Sequence, residues 1–430
     1  MSSLRSAVVA VVAPVLMVSL VGCTTIGSPS NQEPSAGDAS VDTTPASPAS
    51  PASPSPSTSS STSGLPSADP TPTPILSGAT VNSNVPQSSG GVPVDQVVEL
   101  TAEQGTFESV EVTSGKQRRT VRGRLDKGAT RWTSTQRLEP GLRYRVRTVA
   151  VDEDGRKAQG RSSFRTDDLK LSEQTFPSIA PLQGETVGVG MPVIMTFDVA
   201  VTDRAAIERH LSVESSPQQA GAWHWISDNE VHWRPRTFWQ PGTDVAVTAD
   251  INSIPAGNGI YGQLSRTTSF SVGDAMVSRI DVARHRMKVF RNGTLLRTIP
   301  VSAGKPGFIT RSGTKVIIEK FRAKRMDAAT TGIDRDDPEY YNLSNVEYAM
   351  RVTYSGEFLH AAPWSVASQG RANVSHGCVG MSTRNAAWVY DISRRGDVVE
   401  VTGTNRQMTL TNGYGDWNAS FADYRLGSAL

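Results

Sequence analysis

Residues 358–364 read FLHAAPW and residues 375–382 read SHGCVGMS. Nowhere else in the chain do histidine and cysteine lie so close together in the sequence. The two stretches place His360 fourteen residues, 361–374, before the SHGC run that ends at Cys378. A cysteine attacks only as a thiolate, and an ordinary thiol is mostly protonated at neutral pH, so a nucleophilic cysteine needs a neighbouring base. If the two stretches meet in the folded chain, His360 is that base and Cys378 is the nucleophile.

The neighbours of this pair fit the same chemistry. Gly377 permits a tight backbone before Cys378, in which amide N–H groups could face a developing oxyanion. No Asp or Asn partner for the histidine is evident, so a backbone carbonyl, that of Ala361, is expected to orient the His360 ring.

Two other interpretations remain for these residues. The first is an inert buried histidine and a buried small thiol. The second is a zinc site formed by His360, His376 and Cys378, which lacks a fourth ligand at reasonable spacing. The first is the commoner outcome for an arbitrary His and Cys, but the spacing favours catalysis, and no metal is expected.

The surrounding residues 273–403 predict a mixed, β-rich domain. Alternating runs such as 276–282 and 295–299 indicate strands, and Asn292-Gly293 is the signal of a tight hairpin. Residues 383–392 have helical spacing and are followed by a short strand at 397–401. We expect the last residues, 404–430, to form a tail that packs on this domain.

Upstream, residues 81–168 and 169–272 predict two immunoglobulin-like β-sandwiches. Tyr144 follows a Pro-Gly turn and starts an alternating run, which resembles the tyrosine corner of such sandwiches. The arrangement recurs about a hundred residues later, but Val245 stands where the first copy has Tyr144. The chain is therefore expected to be mainly β.

The second predicted sandwich is rich in tryptophan and histidine between Trp223 and Trp239. A structural role in the sandwich core is the favoured interpretation, because most such tryptophans are buried. Stacking of these aromatic faces on sugars is the alternative.

The N-terminus predicts export. Arg5 precedes an apolar stretch of signal-peptide length, and residues 20–23 (LVGC) resemble the lipobox of bacterial lipoproteins, which implies lipidation of Cys23. Residues 1–23 are thus expected to be a lipoprotein signal peptide and residues 24–80 a disordered Pro/Ser/Thr-rich linker. Two acyl chains would anchor the chain to the outer face of the cytoplasmic membrane.

With 43 basic and 41 acidic residues, a net charge of +2, the chain has no global field that would attract nucleic acid. Recognition of its partner is expected to be local.

The His, the gap and the SHGC run together resemble the L,D-transpeptidase, or YkuD, catalytic domain, and the lipobox and two sandwiches are similar to its mycobacterial lipoprotein members. The resemblance extends to residues 304–307, 310–314 and 354–356. It implies the following site residues in addition to Cys378, His360 and Ala361: His376 and Gly377 in the nucleophile loop, and Ser375, Met326, Tyr340, Tyr341, Tyr354, Ser355 and Trp364 in substrate binding.

The family also implies a reaction, an inhibitor and a setting. The expected reaction cleaves the bond between diaminopimelate and D-alanine in a peptidoglycan tetrapeptide, through a Cys378 thioester, and forms a 3→3 cross-link to a diaminopimelate amine. Carbapenems are expected covalent inhibitors, and no cofactor is implied. Alternatives are an L,D-carboxypeptidase, with water as acceptor, and a wall-binding scaffold with a degenerate catalytic domain.

One departure motivates the scaffold alternative: Gly380 stands where the family commonly has Asn. The loss of that amide side chain predicts a more mobile nucleophile loop.

Overall fold

The computed structural model describes residues 76–430, and β-sheets form most of its regular structure. The predicted mainly β class is confirmed. The signal peptide, Cys23 and most of the linker lie outside the described residues. No helix within 76–430 is both long and apolar enough to cross a bilayer.

The first group of strands forms two four-stranded sheets, ordered β1-β2-β6-β5 and β4-β3-β7-β8. Its strands are β1 (Thr80–Ser83), β2 (Glu99–Glu103), β3 (Thr106–Ser114), β4 (Arg119–Thr120), β5 (Gly123–Leu125), β6 (Arg131–Ser134), β7 (Arg143–Val151) and β8 (Lys157–Arg165). Alternate residues of β7 point into the core, as the sequence pattern predicts. The Tyr144 hydroxyl accepts a hydrogen bond from the Glu139 N–H at 2.7 Å, so the corner contact is present. We call this unit the first sandwich.

The second sandwich has sheets ordered β10-β12-β15-β14 and β11-β19-β16-β13, with a small third sheet, β17-β18-β9. Its elements are a 3₁₀ turn (Leu171–Glu173), β9 (Gln174–Thr175), β10 (Pro177–Ala180), β11 (Thr186–Val187), β12 (Val193–Phe197), α1 (Arg204–Glu208), β13 (Leu211–Ser216), β14 (Gly221–Ser227), β15 (Glu230–Pro235), β16 (Asp244–Ala249), β17 (Pro255–Gly257), β18 (Ile260–Gly262) and β19 (Arg266–Val272).

The tryptophans of this sandwich belong to its core. Trp223, Trp225, Trp233 and Trp239 are all buried, and Trp233 stacks on Trp239 with ring centroids 5.3 Å apart. Because their faces are covered by protein, the alternative of sugar stacking on these rings is wrong.

The third unit contains a five-stranded sheet, β22-β21-β20-β28-β23, and a four-stranded sheet, β24-β25-β26-β27. Its elements are β20 (Met276–Asp281), β21 (Arg286–Arg291), β22 (Thr294–Pro300), β23 (Gly313–Val316), β24 (Glu319–Asp327), β25 (Asn342–Arg351), β26 (Phe358–Ala361), β27 (Val379–Met381), α2 (Thr383–Ile392), β28 (Val398–Thr402) and α3 (Phe421–Arg425), with 3₁₀ turns at Ala328–Thr331, Pro363–Ser365 and Asp416–Asn418. Both sheets and α2 contribute to one apolar core.

The C-terminal tail contacts two units. It pairs with the third unit, where the Met408 N–H donates to the Ser312 carbonyl at 2.7 Å. It also packs on the second sandwich, where His232 Nδ1 lies 2.9 Å from an Asp416 carboxylate oxygen. The contact with the second sandwich was not predicted, because no residue pattern in the tail indicates which domain it contacts.

Candidate active site

Parallel pairing of β26 with β27 brings the two chemically dense stretches together. The register places His360 opposite Gly380, two residues after Cys378. Both His360 and Cys378 are buried, and both line one cavity of about 340 Å³. The tertiary structure therefore brings to one cavity two side chains that lie eighteen positions apart in the sequence.

The His360 ring has a defined tautomer. Its Nδ1 lies 2.7 Å from the Ala361 carbonyl oxygen, which only accepts hydrogen bonds, so Nδ1 carries the proton and Nε2 keeps a free lone pair. Burial lowers the pKa of His360. The ring is stacked on Trp364 with centroids 5.9 Å apart. The result is a neutral imidazole that can accept a proton. Its orientation is fixed by the Ala361 carbonyl, as the sequence predicted.

The Cys378 thiol is protonated in this resting arrangement. Burial raises the pKa of Cys378 to about 12. A hydrogen bond from the Phe358 backbone N–H lowers this pKa, but it does not outweigh burial. Its Sγ donates to the Gly356 carbonyl at 3.5 Å, and within residues 76–430 no hydrogen bond joins it to His360. The pair is therefore a neutral thiol and a neutral imidazole, and not a preformed ion pair.

The loop before Cys378 is held by side-chain hydroxyls. Gly377 has φ = 120°, a region that other residues rarely adopt. Its carbonyl accepts a hydrogen bond from Thr310 Oγ1 at 2.8 Å. Ser375 Oγ accepts from the Gly377 N–H at 3.1 Å and donates to the Cys378 carbonyl at 2.6 Å. These bonds fix the backbone on both sides of Cys378.

Gly380 is pinned by backbone hydrogen bonds. Its N–H donates to the Ser302 carbonyl at 2.8 Å, and its carbonyl accepts from the Ser302 N–H at 3.0 Å. A Cβ at this position would lie 2.8 Å from the Ala362 Cβ, so this backbone leaves no room for a side chain. The predicted loosening of the loop does not follow, because backbone pairing replaces the missing amide.

The cavity wall is mostly apolar. The sequence predicted five of its residues besides the catalytic pair: Met326, Tyr341, Trp364, Ser375 and His376. It did not predict Ser302, Leu343, Ala362, Ser365 and Val374, which reach the wall from different strands and loops. Ordinary small or apolar residues carry no local signal of such a role.

Three predicted binding residues do not line this cavity. Tyr340 does not line the cavity, although the next residue in the sequence, Tyr341, does. Tyr354 and Ser355 line a second cavity of about 140 Å³, with Met326 and Tyr341 shared between the two walls. The Ser355 N–H donates to Asn412 Oδ1 of the tail at 2.9 Å, and the next residue, Gly356, contacts Cys378 through its carbonyl.

His376 has a carboxylate hydrogen-bond partner that sequence reasoning missed. Its Nε2 lies 2.8 Å from Glu339 Oε2, which also accepts a hydrogen bond from Lys305 Nζ at 2.5 Å. The Phe308 ring meets the His376 ring edge to face at 4.5 Å. These contacts join the segment before β25 to the nucleophile loop.

A buried charge cluster, consisting of Arg311, Lys315 and Glu357, lies behind the nucleophile loop. Glu357 accepts hydrogen bonds from Arg311 Nη1 at 2.9 Å and from Lys315 Nζ. Sequence reasoning missed this cluster too. The sequence offered one indication of the cluster: Lys315 lies in the short, largely apolar segment 313–318, on the face that points inward.

Metal chemistry receives no support from the geometry. Among residues 76–430 no three His, Cys, Asp or Glu side chains are grouped in a way that could hold a metal ion.

Comparison with known families gives two matches. Residues 276–401 match the L,D-transpeptidase catalytic domain, and residues 89–255 match a bacterial Ig domain, which begins in the first sandwich and ends in the second.

Individual relatives agree with the first match. The chain is 35% identical to L,D-transpeptidase 2 of Mycobacterium tuberculosis (strain CDC 1551 / Oshkosh) over 350 residues, 81% of this chain and 85% of the relative. It is 41% identical over 226 residues to L,D-transpeptidase 1 of strain ATCC 25618 / H37Rv, 53% of this chain and 84% of that one. An LD transpeptidase solved in complex with imipenem is 40% identical, with a TM-score of 0.47, 52% of this chain and 97% of that chain covered.

Proposed function

We propose a two-step acyl transfer at Cys378 for this chain, which belongs to the L,D-transpeptidase family. The observation that carries the proposal is the shared cavity, which is lined both by the buried thiol and by a histidine with a free Nε2 lone pair. The substrate is a stem peptide of peptidoglycan, as the family implies.

In the first step, His360 Nε2 takes the proton of the Cys378 thiol. The thiolate attacks the carbonyl carbon of the diaminopimelate–D-alanine bond, and the negative charge moves to the carbonyl oxygen. The Cys378 backbone N–H, on a loop held by Ser375 and Thr310, stabilises this oxyanion. The bond to D-alanine breaks, its amine takes the proton from His360, and a thioester remains.

In the second step, the side-chain amine of another diaminopimelate attacks the thioester carbonyl. His360 accepts a proton from this amine and returns it to the departing thiolate, so the free thiol is regenerated. The product is a 3→3 cross-link. The mostly apolar wall of the cavity favours an amine delivered by a bound peptide over a free water molecule, and hence transfer over hydrolysis.

The neutral resting pair also suits this sequence of steps. Because burial raises the pKa of Cys378 and lowers that of His360, proton transfer in the empty site is unfavourable. The charged pair forms only when a carbonyl group is present to take the electrons. A neutral thiol also protects the nucleophile from side reactions.

Two further features belong to the same proposal. A carbapenem would acylate Cys378 through its strained ring, in keeping with the imipenem complex of the relative. Lipidation of Cys23 would hold the enzyme at the outer face of the membrane, within reach of the wall.

Intact-protein mass spectrometry tests the chemistry directly. The full chain is incubated with imipenem and, separately, with a diaminopimelate-containing tetrapeptide, beside the Cys378→Ala variant. We expect an adduct on the wild type only, with release of D-alanine from the tetrapeptide. Adding a second diaminopimelate peptide should then yield the cross-linked dimer.

Other outcomes have distinct meanings. Release of D-alanine with only a free tripeptide as product would make the protein a carboxypeptidase. No adduct with either compound, together with unchanged binding of Cys378→Ala to purified walls, would make the domain a scaffold.

A further inference from the structure

The first sandwich has one sheet face on which arginine predominates. Alternate residues of β7 point into the core, and the residues between them, Arg143, Arg145 and Arg147, are exposed. On the neighbouring strand β8, Arg161 and Arg165 are exposed as well. These five arginines lie on the outer side of the sheet β4-β3-β7-β8, and we call them the arginine face.

The register of the sheet places like charges of the arginine face directly opposite each other. Arg143 pairs with Arg165 and Arg147 pairs with Arg161, while Arg145 lies between the two pairs. Residues directly opposite on one face have Cβ atoms about 4.5–5.5 Å apart, and like charges in such pairs destabilise a sheet. Stability of the sheet therefore does not explain why arginine occupies both positions of two pairs.

Carboxylates of the chain neutralise only part of this charge. Within residues 76–430, the salt bridges of the arginine face are Arg147 with Glu111 at 4.0 Å and Arg165 with Asp168 at 2.9 Å. The other three arginines have no salt bridge in this part of the chain, and Arg145 instead donates to a backbone carbonyl at 3.4 Å. The face therefore keeps positive charge that a partner outside the chain can neutralise.

The residue type suits a partner with carboxylate groups. A guanidinium group is planar and can donate two parallel hydrogen bonds to one carboxylate, whereas the ammonium group of lysine acts as a point charge. The side chains beside Arg145 on this face are small and polar, because Thr113 lies opposite it on β3 and Ser163 lies opposite it on β8. Exposed guanidinium groups in such an array can bind carboxylates that recur along a polymer.

The place where the chain enters the first sandwich bears on which polymer this is. Ser77 Oγ donates to the Arg156 carbonyl at 3.1 Å, and the Gly78 N–H donates to Asp152 at 3.0 Å. Both contacts are made at the turn between β7 and β8, which carries three carboxylates at residues 152–154. The entry point is thus at the acidic end of this hairpin, and the arginines lie towards the other end.

An anchor at Cys23 would therefore hold the first sandwich by its acidic turn. Anionic lipid headgroups repel carboxylates, so this arrangement does not favour contact of the hairpin with the membrane surface. Peptidoglycan is the other anionic surface within reach, because its stem peptides carry free carboxylates. Charge complementarity and the entry point together favour the wall polymer.

We propose that the arginine face is a docking surface for the carboxylates of peptidoglycan, and that it keeps the catalytic domain next to polymeric substrate. Exposed ion pairs are individually weak and are screened by salt, so affinity comes from several arginines that act together on a repeating polymer. The choice of partner rests on the proposed function, whereas the unneutralised charge of the face does not.

Co-sedimentation of the full chain with purified peptidoglycan sacculi measures this contact. The test variant removes the three arginines that have no salt bridge within residues 76–430, by the substitutions Arg143→Gln, Arg145→Gln and Arg161→Gln. The matched control removes three cations from exposed positions of the third unit, by the substitutions Arg284→Gln, Arg286→Gln and Lys288→Gln.

We expect the dissociation constant for sacculi to rise roughly tenfold in the test variant and less than about threefold in the control. Amidation of the sacculus carboxylates with carbodiimide and ammonia should weaken binding of the wild type to the level of the test variant. The thermal unfolding midpoint of the test variant should not fall, because the substitutions relieve repulsion between like charges. A loss of binding is then not a loss of folding.

Three results would overturn the inference. The first is equal dissociation constants for the test variant and the control, because the effect would then follow net charge alone or be absent. The second is unchanged binding of the wild type to amidated sacculi. The third is arginine-dependent binding to vesicles of phosphatidylglycerol and phosphatidylcholine but not to sacculi, which would make the membrane the partner.

Formation of the imipenem adduct distinguishes this inference from the proposed function. The rate of adduct formation should be the same in the wild type and the test variant, because the arginine face lies outside the catalytic domain. If no adduct forms but binding to sacculi depends on the arginines, the inference stands and the proposed acyl transfer fails. If the adduct forms but binding does not depend on the arginines, only the inference fails.

Discussion

The two junctions of the second sandwich differ in kind. Towards the first sandwich the contacts are polar, such as the hydrogen bond from Ser253 Oγ to the Leu138 carbonyl at 2.7 Å and the pair of Arg137 with Asp250 at 2.7 Å. The core of the first sandwich contains residues of that sandwich alone. Towards the catalytic domain, one apolar core runs across the boundary and includes Val316 and Val398.

Backbone contacts strengthen the second junction further. The Gly188 N–H donates to the Arg395 carbonyl at 2.8 Å, and the Gly190 N–H donates to the Gly396 carbonyl at 2.9 Å. The tail then covers this boundary and buries Asp416 completely. The difference indicates that the second sandwich, the catalytic domain and the tail unfold as one cooperative unit, whereas the first sandwich is attached mainly by individual polar contacts.

The largest expected effect comes from removing the buried anion of the tail. Asp416 Oδ1 lies 2.9 Å from His232 Nδ1 and accepts a hydrogen bond from the Tyr424 hydroxyl at 2.8 Å. Asp416→Ala leaves both partners unsatisfied, and we expect the free energy of unfolding to fall by about 3–5 kcal/mol in urea titrations. Asp423→Ala, at an exposed position of the same tail, should change it by less than about 0.5 kcal/mol. Equal effects of the two variants would contradict a stabilising role for the Asp416 contacts with His232 and Tyr424.

The next effect is a pH dependence at the same place. Burial alone lowers the pKa of His232, but Asp416 and Glu230 raise it to about 9, above its ordinary value of 6.5. Such a group adds stability that is complete below pH 6.5 and is lost as the pH rises through about 9. We expect this loss to be roughly 3 kcal/mol in unfolding free energy. His232→Gln should remove that part of the pH dependence, and a curve of unchanged shape in this variant would refute the assignment.

Close backbone approach at the second junction predicts a smaller effect. A Cβ at Gly190 would lie 2.7 Å from Val398 Cγ2 and 3.1 Å from the Gly396 carbonyl oxygen. Gly190→Ala should therefore force the two domains apart and cost about 1–3 kcal/mol of unfolding free energy. Gly90→Ala is the matched control, because no atom lies within 4 Å of the added Cβ. Should the two alanine variants melt at the same temperature, the junction is not tightly packed.

The smallest effect belongs to the first junction. Arg137→Ala removes an ion pair whose arginine side chain is 29% exposed and whose aspartate is 59% exposed. Such pairs contribute about 0–1 kcal/mol, so the unfolding midpoint of the catalytic unit should stay unchanged. Limited proteolysis should instead show faster release of the first sandwich. A lowered midpoint of the catalytic unit would mean that the two junctions are coupled.

Several features of the fold were predictable because they depend on neighbours in the sequence. The Tyr144 corner, the Asn292-Gly293 hairpin and the helix at 383–392 are local patterns, and each is present. The role of the Ala361 carbonyl was predictable for the same reason, since it is attached to the residue after His360.

Other features depend on distant partners, which the sequence does not show. Tyr354 and Ser355 lie close to His360 in the sequence, but contacts with Asn412 and Tyr414 of the tail hold them at another cavity. The tryptophans of the second sandwich gave the same aromatic pattern for core and for binding, and only burial distinguishes the two. Gly380 was assessed by its missing side chain, although its backbone pairing with Ser302 decides its mobility.

The sequence alone supplied a candidate nucleophile, a candidate base, the order of the domains and the mainly β class, because residue type, spacing, periodicity and the family resemblance indicate them. Only the tertiary structure decided which charges lie behind Cys378, how Gly380 is held and where the tail docks. Lys315, Glu357 and Asp416 become significant through burial, and burial arises from the packing of segments far apart in the chain. Ionisation and desolvation depend on that packing, so the electrostatics of the site could not be derived from residue order.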